Sequence, residues 1–159
     1  MNYYTRPAEL ADWESLCKMV RFISLSPKFS QILAVDVVKM EVALVNSRLP
    51  DKMSPIRLQV VHSASKVVGY AIIYICQPPA TDIPGCLIGP SQCFIHSMFV
   101  YPDAGKEAGL VLIQGIEEFG KSFGAKLLYG NVRMDGHFGA IKRKYGMKPL
   151  YIAIGKEIE

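Results

Sequence analysis

Residues 95–109 join a strand-like run, IHSMFVYP, to a turn bracketed by Gly105 and Gly109 and to the start of an amphipathic helix. Backbone N–H groups point outward at a helix N-terminus, and the helix dipole favours negative charge there. The pattern indicates an anion site with a phosphate as its natural occupant. Many strand–turn–helix units bind nothing, so the pattern alone does not establish a site.

Positive charge is concentrated near the carboxyl end of the chain. Five cations stand there against one anion, Asp135, and they account for the whole net charge of +4: Arg133, Lys142, Arg143, Lys144 and Lys148. Such a patch suits a phosphate-bearing ligand or an acidic partner, or else it is the solvated end of a helix. Basic residues interleaved with aromatics are absent elsewhere, so no nucleic-acid partner is expected.

The spacing of cysteine and histidine does not suit a metal site. None of the four cysteines forms a C-x-x-C pair, and the three histidines are widely scattered, so no metal is expected. Reduced thiols and a cytoplasmic location are the default interpretation, with a Cys86–Cys93 disulfide as an alternative.

The amino-terminal third predicts a strand followed by two helices. Residues 2–6 form the expected strand, and Pro7 suits the first turn of a helix. Apolar residues then recur at helical spacing, with Trp13 and Phe22 expected in the core. A second helix is predicted within 36–50, between an N-cap type of residue and a proline.

A hairpin is predicted next. Its strands cover 56–62 and 67–76, and the second strand is apolar on both faces and therefore central in the sheet. Tyr70 and Tyr74 on this strand are candidates for lining a pocket. Residues 78–90 hold four prolines and two glycines and predict an irregular loop, either a functional flap beside the substrate or simply tolerated length.

The remaining elements complete a mixed α/β (α+β) sheet. They are a strand over 93–101, the helix after the turn, a strand over 125–132, a short helix over 135–144 and a last strand over 147–154. The order is β-α-α-β-β-β-α-β-α-β, in which strand, turn, helix and strand imply one parallel crossover beside antiparallel hairpins.

Length and hydropathy indicate one soluble domain. The chain has 159 residues, about the commonest domain size, so a single domain over 1–159 is expected. Its longest apolar run has ten residues, Val67 to Cys76, which is too short to cross a bilayer. Residues 1–4 show no secretory signal, and no membrane association is expected.

The stretch from Ile95 to Met147 resembles the GNAT superfamily of acyl-coenzyme A-dependent N-acyltransferases. The family has a strand ending V-x-P, a loop Q/R-x-x-G-x-G/A, a helix x-x-L-L and a late Y-E-K-x-G-F. Here the matching stretches are VYP at 100–102, GLVLI at 109–113 and KRKYGM at 142–147. The predicted order of elements also matches this family. Short, divergent members encoded by bacteriophages are the most similar.

The resemblance implies a GNAT-like fold, acetyl-CoA as cofactor and a set of site residues. The pantetheine arm would pair with the backbone after a bulge in the fourth strand, at Met98, Phe99 and Val100. The pyrophosphate would be held by Gly105, Lys106, Ala108 and Gly109, and the cations at 142–144 would reach the 3′-phosphate.

His96 is the candidate general base, on the strand where the family often places a glutamate. An imidazole has an ordinary pKa of about 6.5 and can therefore remove a proton from an ammonium substrate. The alternative is a core histidine bonded to a backbone carbonyl. Simple alternation places His96 with Met98 and Val100 on one face, and Ile95, Ser97 and Phe99 on the other.

Three departures separate the chain from the family pattern. The loop's Gln or Arg falls on Ala104 and its first glycine on Glu107, and the loop is one residue shorter than usual. The tyrosine that protonates the leaving thiolate falls on Lys142, and the nearest tyrosine is Tyr145. The effect of Glu107 on cofactor binding depends on its orientation, since its carboxylate would repel a pyrophosphate directly beside it.

Three hypotheses of function follow. The first is an enzyme that transfers an acyl group, expected to be acetyl, to an amine by direct attack, with a small-molecule amine or a protein lysine as acceptor. The second is a protein that has kept the fold and lost the reaction, and binds coenzyme A or a host protein, as a phage-encoded modulator would. The third is a nucleotide-binding or structural module that uses the same helix N-terminus. The oligomeric state is expected to be a monomer or a homodimer.

Overall fold

A computed structural model describes residues 2–25, 37–47, 54–64, 66–76 and 91–130. Its main elements are β1 (Tyr3–Pro7), α1 (Trp13–Leu25), α2 (Val37–Asn46), β2 (Ile56–Ser63), β3 (Lys66–Cys76), β4 (Gln92–Val100), α3 (Gly105–Ser122) and β5 (Leu127–Gly130). Short 3₁₀ turns at Leu10–Asp12 and Pro102–Ala104 precede α1 and α3. The predicted order is confirmed over these residues. The elements predicted for 135–154, the loop at 78–90 and the cations from 133 onward lie outside them.

The five strands form one mixed sheet in the order β1-β2-β3-β4-β5. Neighbouring strands are antiparallel except β4 and β5, which are parallel and joined by α3. This is the predicted parallel crossover. Strand β3 lies at the centre, as its apolar sequence on both faces predicted, and it is buried from Val67 through Ile73.

Helices cover both faces of the sheet. Helices α1 and α2 pack on one face, and α3 packs on the other. Each face has its own buried cluster. The first includes Leu16, Met19, Ile23, Leu58, Tyr70 and Phe99, and the second includes Val61, Ile73, Ile95, Leu112, Ile116 and Phe119. Because β4 contributes to both clusters, its backbone is fixed between two packed layers.

Two expectations for the amino-terminal segment are wrong. Pro7 does not begin a helix but ends β1, opposite Gln59 of β2. Phe22 is 43% exposed, because Ile23 and the residues one turn before it occupy the buried stripe of α1. The Phe22 ring still contacts the ring of Tyr101 at 5.4 Å between centroids. Trp13 is half-buried and packs against the first cluster.

Gly69 allows β3 and β4 to approach closely. It pairs with Val100, and a Cβ atom added at Gly69 would lie 2.7 Å from the Phe99 carbonyl oxygen and 2.8 Å from Val100 Cγ2. Any side chain here would push β4 away from β3. Gly69 therefore fixes the position of the end of β4 that leads into α3.

Candidate functional site

Strand β4 contains a β-bulge at His96. Ile72 of β3 pairs with Ser97 and the next residue, Ile73, pairs with Ile95, so His96 is an extra residue in the ladder. A bulge leaves one residue unpaired, bends the strand and redirects side chains. The sequence resemblance implied a bulge in this strand, and the structure places it at the candidate base.

The bulge overturns the alternation predicted for β4. Ile95 packs in the cluster under α3, together with Met98 and Val100. The His96 ring instead contacts the rings of Tyr74 and Phe94, on the face that Tyr74 shares with the first cluster. His96 therefore does not share a face with Met98 and Val100, because the extra residue shifts the alternation by one.

Strands β4 and β5 pair along the first half of β4, from Gln92 opposite Leu127 to Ile95 opposite Gly130, the last residue of β5 that the structure describes. Beyond Ile95, β4 pairs with β3.

The peptide groups of Met98 and Val100 point away from β3. The N–H of Tyr101 donates to the Val68 carbonyl oxygen at 2.9 Å, on the β3 side. In an antiparallel ladder the N–H and C=O of one residue point the same way, and those of the next residue point the opposite way. Phe99 therefore directs its peptide groups to β3, and its side chain is buried in the first cluster. Of the three residues predicted to pair with a ligand, only Met98 and Val100 direct their backbone outward.

A 3₁₀ turn carries the chain from β4 into α3. Gly105, the first residue of the helix, has φ +73°, a region that side chains other than glycine rarely adopt, and no atom lies within 4 Å of a Cβ added there. Tyr3 Oη donates to the Ala104 carbonyl oxygen at 2.6 Å and holds the turn against β1. The first N–H groups of a helix have no partner within it, and Ala104 offers no capping side chain. The start of α3 can therefore accept an anion.

A cleft of about 420 Å³ lies at this helix start. Its lining residues are Tyr3, Asp103, Ala104, Gly105, Lys106 and Glu107. One cation and two carboxylates thus share the cleft. Glu107 lies in the first turn of α3, where a carboxylate also interacts favourably with the helix dipole.

The glycine turn predicted over 103–109 is shorter than expected. The helix begins at Gly105, so Ala108 and Gly109 are helical and buried, with Ala108 in the cluster between α3 and the sheet. Their placement in a loop is wrong, because the 3₁₀ turn makes the reversal within three residues. Gly105 and Lys106 lie exposed at the start of the helix.

Two aromatic rings contact the His96 ring. Its ring meets Tyr74 at 5.6 Å and Phe94 at 6.3 Å, both edge-on, and Phe94 lies 5.0 Å from Tyr129 of β5. All four side chains are half-buried. Phe94 and Tyr129 were missed in the sequence. The period of two along a strand could have linked Phe94 to His96, but only the β4–β5 register brings Tyr129 beside them.

Tyr70 is a core residue and does not line a pocket. Its side chain is 1% exposed, and burial raises the pKa of its hydroxyl to about 12, with the nearby Ser97 hydroxyl acting in the opposite direction. Cys93 is likewise a buried free thiol, and burial raises its pKa to about 12. Neither group is available for acid–base or redox chemistry near neutral pH. Cys86, its suggested disulfide partner, lies outside the described residues.

A buried ion pair connects β1 to the 3₁₀ turn before α1. Arg6 donates two hydrogen bonds to the Asp12 carboxylate at 2.8 and 3.0 Å, and the N–H of Glu9 donates a third. Burial alone would raise the pKa of Asp12, but these hydrogen bonds lower it overall. His62 lies 3.6 Å from Asp12, stacked on Tyr4, and burial lowers its pKa. This group joins β1 and β2 to the turn before α1.

The described part of the chain contains neither a metal-ligand cluster nor a membrane-spanning helix. No three His, Cys, Asp or Glu side chains come together there as metal ligands. None of the helices in those ranges is long and apolar enough to cross a membrane. Lys142 and Tyr145 lie outside the described ranges, so their predicted roles remain untested.

Comparison with known proteins gives matches in structure but not in sequence. No family model matches the chain, and no curated protein matches it. The structure of the aminoglycoside N-acetyltransferase AAC(6')-Iy, in complex with a bisubstrate analogue of CoA and acetylneamine, aligns with 100% of this chain and 99% of its own. The TM-score is 0.70 and the identity 13%.

Two further solved structures show the same likeness. A ribosomal-protein-alanine N-acetyltransferase from Brucella melitensis biovar Abortus 2308 has a TM-score of 0.67 at 14% identity, over 99% of this chain and 100% of its own. A transcriptional regulator from Bacillus halodurans C-125 has a TM-score of 0.69 at 15% identity, over 99% and 100%. The chain therefore has the mixed α/β fold of GNAT acetyltransferases.

Proposed function

We propose that the chain is an N-acetyltransferase that transfers an acetyl group from coenzyme A to an amine by direct attack. One observation carries the proposal. Past the bulge at His96, Met98 and Val100 of β4 direct their peptide groups away from β3, and the strand leads through a three-residue turn to the uncapped start of α3. A long ligand with amide groups and a phosphate could use both ends of this path.

The described residues fit the parts of acetyl-CoA. The outward peptide groups of Met98 and Val100 would hydrogen-bond to the amides of the pantetheine arm. The start of α3 at Gly105 would hold the pyrophosphate, with Lys106 as the nearby cation. Phe99 supports β4 from the core, and Ala108 and Gly109 support the helix from beneath. When bound, acetyl-CoA supplies an acyl group activated as a thioester.

His96 would accept the proton that the acceptor must lose. An alkylammonium has no lone pair with which to attack a carbonyl carbon, so its proton must first move to a base or to water. His96 is the bulged residue of β4 and directly follows Ile95, which pairs with Gly130 of β5. No covalent bond to the protein is needed, because the amine nitrogen itself forms the new amide.

The experiment that tests the proposal has two parts. Calorimetric titration with acetyl-CoA should give one site per chain, and thiol release should then be followed with primary amines that include a lysine peptide. Binding with amine-dependent thiol release supports the enzyme. If the folded protein binds no acetyl-CoA, the proposal is refuted, whichever amine is tested.

The proposal also names the acceptor amine, the cellular compartment and the source of the protein. A small-molecule amine is the first choice for the acceptor and a protein lysine the second. The cytoplasm is the proposed compartment, since it keeps the thiols of the chain reduced. A bacteriophage origin remains an expectation from the sequence resemblance.

A second candidate function is binding without catalysis. Asp103 and Glu107 line the cleft at the start of α3, where carboxylates would weaken the hold on a pyrophosphate. A structural neighbour is also described as a transcriptional regulator, so proteins of this fold are not all described as acetyltransferases. Acetyl-CoA binding with no thiol release in the presence of any amine would favour this candidate, with a host protein as partner.

A further inference from the structure

The acceptor must come close to His96 if His96 takes its proton. A general base works within about 3 Å of the proton donor, or through one water. The groups around His96 are therefore part of the surroundings of the acceptor. This step rests on the proposed function.

The groups that the structure describes in ring contact with His96 are aromatic. The rings of Tyr74 and Phe94 meet the His96 ring edge-on, and Tyr129 extends the surface across β5. We refer to Tyr74, Phe94 and Tyr129 as the aromatic wall. Tyr129 Oη donates to Cys76 Sγ at 3.8 Å, a contact that links the outer end of the wall to β3.

The wall carries no negative charge. None of the residues of β3, β4 and β5 is an aspartate or a glutamate. Within the described ranges the acidic side chains belong to the segment 9–14, to α2 and to the segment 103–118. A polycationic acceptor needs carboxylates to replace the water around each ammonium group, and these three strands offer none.

We infer that the acceptor is a primary amine with one positive charge and an aromatic or similarly apolar body. Its body would pack on the aromatic wall, and the ring faces there attract a single cation while it is still protonated. His96 would then take the proton beside Tyr74 and Phe94. This assigns to Phe94 and Tyr129 a role in acceptor choice.

The test compares two ligands on the protein saturated with coenzyme A. 2-Phenylethylamine carries one charge and one ring, and neamine carries several charges and no aromatic ring. Calorimetry should show 2-phenylethylamine binding at least tenfold more tightly than neamine. Thiol release from acetyl-CoA should show the same order in kcat/KM.

A matched pair of variants locates the effect. Phe94→Ala removes a half-buried ring that lies 5.0 Å from Tyr129, and Phe123→Ala removes a half-buried ring that lies 5.1 Å from Phe119 on the other side of the sheet. Phe94→Ala should weaken 2-phenylethylamine binding about tenfold and leave acetyl-CoA affinity within about twofold. Phe123→Ala should change neither affinity.

The outcomes separate the inference from the proposed function. If acetyl-CoA binds and thiol is released, but neamine is preferred or Phe94→Ala changes nothing, the aromatic acceptor is refuted and the enzyme stands. Equal losses in both variants would also refute it, because the effect would then be one of stability. If the folded wild type binds no acetyl-CoA, the proposed function fails and the inference fails with it.

Discussion

The variant Gly69→Ala would place a methyl group between β3 and β4. Its Cβ would lie 2.7 Å from the Phe99 carbonyl oxygen and 2.8 Å from Val100 Cγ2. The first atom is backbone held in the ladder, so rotation of a side chain cannot relieve the contact. The end of β4 must move away by several tenths of an ångström.

The expected cost follows from overpacking in a filled core. Forcing an extra methyl group into such a site costs about 1–3 kcal/mol of unfolding free energy. For a domain of this size each kcal/mol corresponds to about 2–4 °C, so the melting temperature should fall by roughly 2–12 °C. Calorimetric or circular-dichroism melting of the wild type and the variant measures this fall.

The displacement should also weaken acetyl-CoA binding, because Val100 is one of the two residues with outward peptide groups. Gly115→Ala is the matched control. Its Cβ would lie 2.5 Å from Thr5 Cγ2 and 2.9 Å from Gln59 Nε2, so it overpacks α3 against β1 and β2, away from β4. Both variants should lose stability, and only Gly69→Ala should lose affinity, by about tenfold or more.

Two results would refute this reasoning. An unchanged melting temperature in Gly69→Ala would mean that the approach of the two strands is not as tight as the distances indicate. Equal losses of affinity in Gly69→Ala and Gly115→Ala would mean that binding follows global stability and not the position of β4.

Three further predictions concern the base, the helix start and acid stability. His96→Gln keeps the size of the side chain and should lower kcat by about 10²–10⁴-fold in thiol-release assays, with acetyl-CoA affinity by calorimetry within about twofold; full activity would exclude it as the base. Gly105→Ala and Gly124→Ala, at φ +73° and +72° with open space around both, should each cost about 1–3 kcal/mol in denaturant unfolding, and only the first should weaken acetyl-CoA binding. Because its pKa is lowered in the fold, His62 binds protons less readily than in the unfolded chain, so stability should fall as the pH drops below about 6.5; the lowered pKa of Asp12 adds a second loss below about pH 4. In melting curves recorded at several pH values, His62→Phe should reduce the fall in melting temperature between pH 7 and 5 and leave the fall below pH 4 in place. If the melting temperature of the variant falls between pH 7 and 5 as steeply as that of the wild type, His62 is not the cause.

Periodic patterns in the sequence predict much of the fold. The ten-residue apolar run at 67–76 predicts a central strand, and the structure places β3 there. The strand, turn and helix at 93–122 predict the one parallel crossover. These predictions hold because burial sets hydrophobic periodicity, and burial depends on position in the layers of the fold.

The site was harder to predict because it depends on deviations from those periods. Alternation placed His96 with Met98 and Val100, and one extra residue in the ladder moves it to the other face. The turn before α3 is three residues long, so the expected loop ends before Ala108. Neither deviation leaves a signal in composition, since a bulge depends on the register of the neighbouring strand.

The same dependence on backbone geometry bears on the low identity to the structural neighbours. If the proposed function holds, Met98, Val100 and Gly105 contact the ligand through peptide groups, which every residue type except proline can supply in full. Side chains along this path can then change freely, provided that the bulge and the turn remain. Identities of 13–15% are therefore compatible with one shared fold. Side chains are constrained more strongly where the acceptor would lie, at His96 and the aromatic wall, so substitutions there should change acceptor choice more than substitutions along β4 beyond the bulge.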